Sequence, residues 1–195
     1  MTETEIYKVY KGVYMPANLY TPQSLKYYEE FSFRPDDIII ATYPKSGTTW
    51  MQEIVPLIMS GGDPASVETL PNWRRVPWME VDNTCKLNLE QRPSPRILST
   101  HFQYAMMPPS FSEIKPKVIY VMRNPKDVFT SSFHFYGMTS FLVKPGPQSE
   151  FLHKFLDGKG IAGDWKDQLT VAEAEYFEAV YKDKMKDVKY KFAWD

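Results

Sequence analysis

An α/β fold with a parallel sheet is what this sequence predicts, and three observations carry the prediction. Three short apolar runs, at residues 38–42, 96–100 and 117–122, are rich in β-branched side chains and read as buried strands. Helical patterns follow the first and third runs, which is the βα alternation of a parallel sheet. Each run ends in a polar, chemistry-bearing cluster, and the carboxyl ends of parallel strands are where ligands bind. Three strands make a thin sheet for such a fold.

Composition bounds the rest. The chain has 195 residues, 43% hydrophobic and 24% charged, which suits one globular domain rather than disorder. A net charge of −1 without a basic run argues against a nucleic-acid partner and leaves room only for a local anion pocket. The single cysteine, Cys85, excludes an intrachain disulfide framework and suits a reducing compartment. The N-terminus is polar and acidic, with no apolar signal core, and no apolar run is long enough to span a bilayer. A cytoplasmic protein without a membrane partner is expected.

In chain order, residues 1–36 hold one short helix, 22–31, opened by Thr21 as its cap and Pro22 in its first turn. Tyr7, Tyr10, Tyr14 and Tyr20 are expected to pack onto the sheet rather than line a pocket. After strand 38–42 and loop 43–47, a helix starts at Thr48, with Trp50, Met51, Ile54, Val55, Ile58 and Met59 at helical spacing. Pro56 predicts a kink or an early end, and Gly61-Gly62-Asp63-Pro64 closes the element. Residues 65–95 lack a period and are expected to form loops and short helices over the sheet. Strand 96–100 leads into His101. Strand 117–122 leads into Arg123 and a helix over 125–135 that carries Ser131 and Ser132. A loop over 137–148, a short helix over 150–156 and an amphipathic helix over 170–186 complete the chain. Thr170 caps the last helix, whose apolar face holds Phe177, Val180, Tyr181 and Met185.

The chemistry concentrates at the strand ends. Loop 43–47 aims backbone N–H groups, a helix dipole, the hydroxyls of Ser46, Thr48 and Thr49, and the Lys45 ammonium at one point. That is an anion site for phosphate or sulfate. It is not the Walker pattern, in which lysine follows the second glycine, because Lys45 precedes Gly47. No acidic residue closes the second strand to hold Mg²⁺, no Cys/His cluster fits zinc, and there is no Gly-x-Ser-x-Gly elbow. His101 is placed to act as a general base, the alternative being a structural histidine; Arg123 is placed to meet an anion, the alternative being a surface cation. An anion loop, a base and a second anion anchor point to group transfer from an anionic donor to a hydroxyl, with phosphoryl and sulfuryl both open.

The motifs resemble those of the cytosolic sulfotransferase family. Tyr43-Pro-Lys-Ser-Gly-Thr-Thr-Trp50 resembles that family's loop for the 5′-phosphosulfate of 3′-phosphoadenosine 5′-phosphosulfate (PAPS). Arg74-Arg75-Val76-Pro77-Trp78 resembles its Arg-Val-Pro segment, Ser94-Pro-Arg-Ile-Leu-Ser-Thr-His101 the segment of its catalytic histidine, and Arg123-Asn-Pro-Lys-Asp-Val-Phe-Thr-Ser131 its 3′-phosphate segment. The resemblance implies a P-loop-like three-layer α/β/α domain over residues 1–195. It implies that PAPS is the co-substrate, that a small hydroxyl compound (alcohol, steroid or phenol) is the acceptor, and that no metal is required.

Roles carry over as implications of the resemblance. Lys45 stabilises the bridging oxygen, while Ser46, Gly47, Thr48 and Thr49 donate to the 5′-phosphate and Trp50 stacks on adenine. His101 takes the acceptor proton for in-line attack on sulfur. Arg123 and Ser131 hold the 3′-phosphate, Ser131 also lying near Lys45. Ser99 stands where the phenol-sulfating branch has lysine, a lean toward the hydroxysteroid and alcohol branch.

Lys159-Gly160-Ile-Ala-Gly-Asp-Trp-Lys166 resembles the end of the family's Arg-Lys-Gly-x-x-Gly-Asp-Trp-Lys segment, with Gly158 in place of the arginine. A large family segment that supplies a strand, several helices and part of the acceptor pocket is missing near 158–160, so the fold is expected to be incomplete. Residues 166–175, from Lys166 through Thr170-Val171 to Glu175, resemble the family's dimer motif and imply a homodimer. A shortened, inactive chain that only binds PAPS or a partner subunit is the alternative from another class. A third reading, a small kinase-like phosphotransferase, rests on the anion loop alone.

Overall fold

Alternation along a single strand organises the first part of the molecule. In β3 (Ile38–Thr42) every residue is buried. Ile39 belongs to an apolar cluster with Leu98, Tyr28, Phe31, Phe33, Met79 and Phe102, whereas Ile38 and Ile40 belong to another with Val55, Val76 and Met51. Successive side chains of a strand point to opposite faces, so β3 is covered on both. The computed structural model describes residues 6–140, 142–158 and 169–194. The chain forms two compact units, Met1–Met122 and Arg123–Asp195.

In the first unit β3 is the middle of a parallel sheet of order β4-β3-β5, with β4 at Ile97–Thr100 and β5 at Lys117–Val121. Ile38 faces Ile97 on one side and Lys117 on the other. One face carries α2 (Thr48–Met59), through Met51 and Val55. The other carries α1 (Pro22–Glu29) and a β1–β2 hairpin (Tyr7–Tyr10 and Val13–Pro16). This is the α/β layering around a parallel sheet that the sequence predicted. Phe102 joins the layers on that face, stacked on Tyr10 and Tyr20 and meeting Tyr28 edge-on at 5.0 Å between ring centroids. A buried ion pair ties the starts of β3 and β4. Arg96 Nε and Nη2 donate to the Asp37 carboxylate at 2.9 and 2.6 Å, and Arg96 also donates to the Ser32 and Leu89 carbonyls. The outer strand β5 keeps Val118 and Tyr120 exposed.

Most expected elements are present with shifted ends. α1 stops at Glu29, two residues early, and its Thr21 cap forms a capping box with Ser24. α2 runs through Pro56 to Met59, so the proline ends nothing. Residues 65–95 form α3 (Ala65–Glu68), α4 (Asn72–Arg75) and two 3₁₀ turns, Thr84–Lys86 and Leu89–Gln91. The hairpin and α5 (Pro109–Ile114) were not foreseen. The hairpin turns on Lys11-Gly12, both at positive φ (48° and 82°), the two-residue geometry that matches strand twist. Lysine disguises that signal, because Asn or Asp is the usual first residue there.

In the second unit α6 (Pro125–Met138) is capped by the Asn124 side chain, which accepts the Lys126 N–H. It extends three residues past the expected end. Its buried Phe129 packs on Phe151 and Phe155 of α7 (Gln148–Leu156) and on Phe177 of α8 (Val171–Met185). Thr170 and Glu173 form the capping box of α8, and Lys126 pairs with Glu178.

Candidate active site

The loop between β3 and α2 is bent by two residues in the left-handed region, Lys45 at φ 67° and Gly47 at φ 108°. An added Cβ at Gly47 would meet no atom within 4 Å, so backbone conformation, not space, calls for glycine there. The Ser46 N–H donates to the Tyr43 carbonyl at 3.1 Å and closes the turn. Gly47 supplies no side-chain cap to α2. The first-turn N–H groups of a helix have no intrahelical acceptors, so this end, with the helix dipole, suits an anion. Ser46 and Thr48 are buried, whereas Thr49 and Trp50 are exposed. The Thr48 hydroxyl is turned inward, 2.5 Å from Thr42 Oγ1, which leaves the Thr48 backbone N–H as its group suited to the anion.

β4 runs beside β3, so its end delivers His101 next to Thr42. His101 Nδ1 lies 2.8 Å from the Thr42 carbonyl oxygen and 3.3 Å from Thr42 Oγ1. A carbonyl only accepts, so Nδ1 carries the proton and donates, which leaves the Nε2 lone pair available. Burial lowers the imidazole to about 4, opposed by the Thr42 hydrogen bond, and the ring is therefore neutral near pH 7. The Trp78 ring packs on it at 4.2 Å between centroids. Ser99 is fully buried, bonded by Gln52 Nε2 at 3.0 Å and donating to the Val76 and Pro77 carbonyls.

Lys45, Ser46, Gly47, Thr48, Thr49, Trp50 and His101 thus come together at the carboxyl ends of β3 and β4. Arg123 and Ser131 belong to the second unit. There Arg123 directly precedes the α6 cap and Ser131 sits half-buried on that helix between buried Thr130 and Ser132. Lys159, Gly160 and Lys166 lie outside the described residues. Among the described residues no group of three or more His, Cys, Asp and Glu is placed to hold a metal ion, and no helix is long and apolar enough to cross a membrane.

Sequence reasoning missed Glu80. Its Oε1 accepts the His101 backbone N–H at 2.8 Å, and its side chain is fully buried. Burial raises this carboxyl to about 7, opposed by hydrogen bonds from the His101 N–H, its own N–H and the Thr100 hydroxyl. The one available signal was a lone acid between the apolar residues Met79 and Val81.

The sulfotransferase domain profile matches residues 35–161. Sulfotransferase 2B1 of Mus musculus is 44% identical over 161 residues, covering 82% of this chain and 47% of its own length. The 3-beta-hydroxysteroid sulfotransferase of Cavia porcellus is 37% identical over 186 residues, covering 92% of this chain and 64% of its own. A mouse sulfotransferase solved in complex with PAP shares the fold at TM-score 0.65 and 24% identity, covering 97% of this chain and 80% of that one. The chain spans about half the length of the curated relatives it matches. On the matched profile and these identities, the chain belongs to the sulfotransferase family.

Proposed function

We propose that this chain binds PAPS and transfers its sulfuryl group to the hydroxyl of a small acceptor. The observation that carries the reading is the neutral His101, its Nδ1 proton committed to the Thr42 carbonyl, beside the amide-bearing start of α2. His101 Nε2 takes the acceptor's proton as the acceptor oxygen bonds to sulfur and the bond from sulfur to the bridging oxygen breaks. Lys45 and the amides of Gly47, Thr48 and Thr49 oppose the negative charge left on the 5′-phosphate. Trp50 serves the adenine, and Arg123, Ser131, Lys159 and Gly160 serve the 3′-phosphate and the nucleotide. PAP in a structure of the same fold supports this assignment of the nucleotide. Ser99 and the hydroxysteroid relative favour an alcohol or steroid acceptor. A homodimer through residues 166–175 and a cytoplasmic location belong to the same reading.

Calorimetry with adenosine 3′,5′-bisphosphate tests nucleotide binding: binding heat is expected, and folded protein giving none refutes the reading. His101→Ala is expected to bind the bisphosphate normally and to lose transfer; equal turnover in variant and parent removes the base role. A second reading, PAPS binding without turnover, is favoured by the exposed Val118 and Tyr120 on β5. Bisphosphate binding with no sulfated product from any alcohol, steroid or phenol would select it.

A further inference from the structure

We propose that Glu80 is a positioning residue for His101, fixing the backbone of the base and placing a carboxylate beside it. The inference rests on the base role proposed above. The segment before Glu80 is zipped onto β4: the Ser99 N–H donates to the Pro77 carbonyl and the Met79 N–H to the Ser99 carbonyl, both at 2.9 Å. Trp78 therefore lands on the imidazole, and Glu80 lands under the His101 amide, 2.8 Å from its Oε1. Three contacts then define the base: Trp78 sets the ring plane, the Thr42 carbonyl sets the tautomer, and Glu80 sets the main chain. Glu80 Oε2 is buried and makes no hydrogen bond of good geometry.

A carboxyl is an expensive way to satisfy one amide, since a neutral acceptor would serve the structure and avoid desolvating a charge. What the carboxylate adds is charge. It is a stronger acceptor for the His101 N–H. One amide away from the imidazole, it also favours the imidazolium that forms when the base takes a proton. Among the described residues the titratable side chains that bear on it besides His101 are Tyr20 and Tyr28, whose hydroxyls burial pushes up, so both stay neutral. The ionised form thus strengthens the base and the protonated form weakens it.

The chain has three histidines, so ¹³C-labelled histidine gives a sparse spectrum in which His101→Ala identifies the relevant signal. The parent His101 resonance is expected to step near pH 7 as Glu80 titrates, apart from its own transition near 4. Glu80→Gln keeps an acceptor for the amide and is expected to erase that step. A resonance without the step, or a step that survives in Glu80→Gln, overturns the proposal. This readout needs no turnover, so it can fail while sulfuryl transfer stands, and the reverse. In the transfer assay, Glu80→Ala is expected to lower kcat roughly 10- to 100-fold with KM nearly unchanged, as supporting-residue losses do elsewhere. Glu80→Gln should recover most of that below pH 7, where the parent carboxyl is itself protonated, and fall short of the parent above it. If Glu80→Ala does not fold, the glutamine variant alone decides: loss of kcat and bisphosphate affinity together would overturn the positioning role.

Discussion

Glu80 and His101 touch, and burial moves their titrations in opposite directions, which gives a prediction for stability against pH. Glu80 rises from an ordinary 4.5 to about 7, so between those values the folded state holds a proton that the unfolded state has lost. Its contribution is fully present below 4.5 and lost as pH rises toward 7, at ~1.36 kcal/mol per pH unit. His101 falls from an ordinary 6.5 to about 4, so there the unfolded state holds the proton. Its contribution is present above 6.5 and lost as pH falls toward 4, with the same slope and the opposite sign. Across pH 5 to 6.5 the two cancel, and single substitutions unmask them. Relative to the parent, Glu80→Gln should gain about 2.5 kcal/mol of stability from pH 5 to 7.5, and His101→Gln should lose about 2 kcal/mol from pH 5 to 6.5. Urea denaturation followed by tryptophan fluorescence, repeated in half-unit pH steps, gives these difference curves, and subtraction removes every group common to variant and parent. Two difference curves flat to within about 0.5 kcal/mol would show that neither group titrates as its burial demands.

Three further substitutions probe the frame around the site. Asp37→Ala leaves the Arg96 guanidinium buried without its fork and should cost about 3–5 kcal/mol in denaturation. Asp37→Leu with Arg96→Met should recover most of it, and a double variant as weak as the single would refute that account. Gly47→Ala meets no neighbour, so its cost is the left-handed backbone alone, about 1–3 kcal/mol, with weaker bisphosphate binding by calorimetry as the loop re-aims its amides. Gln52→Leu removes the donor to the Val76 carbonyl and Ser99 Oγ and should lower the urea midpoint by the equivalent of about 1–2 kcal/mol.

The three strands of the parallel sheet were legible because burial on both faces writes a continuous apolar run, as at Ile38-Ile39-Ile40. The loop between β3 and α2 was legible because its proline, its glycine and the helix start at Thr48 are all local. Helix ends were misplaced where the deciding contact is tertiary. α2 continues past Pro56 because Val55 and Met51 are held against β3, and that packing outweighs a missing backbone hydrogen bond. The hairpin was hidden because Lys11 adopts a conformation more typical of asparagine.

What the sequence determined by itself was therefore local: a strand, a tight loop with Lys45 that opens a helix, and a histidine at a strand end, ordered as in sulfotransferases. Only the tertiary structure decided what His101 is. The Thr42 carbonyl comes from the adjacent strand, Trp78 and Glu80 from a segment about twenty residues upstream, and Thr48 turns its hydroxyl toward Thr42 rather than outward. Tautomer and proton affinity are set by burial and by partners distant in the chain, and neither is written in the spacing of neighbouring residues.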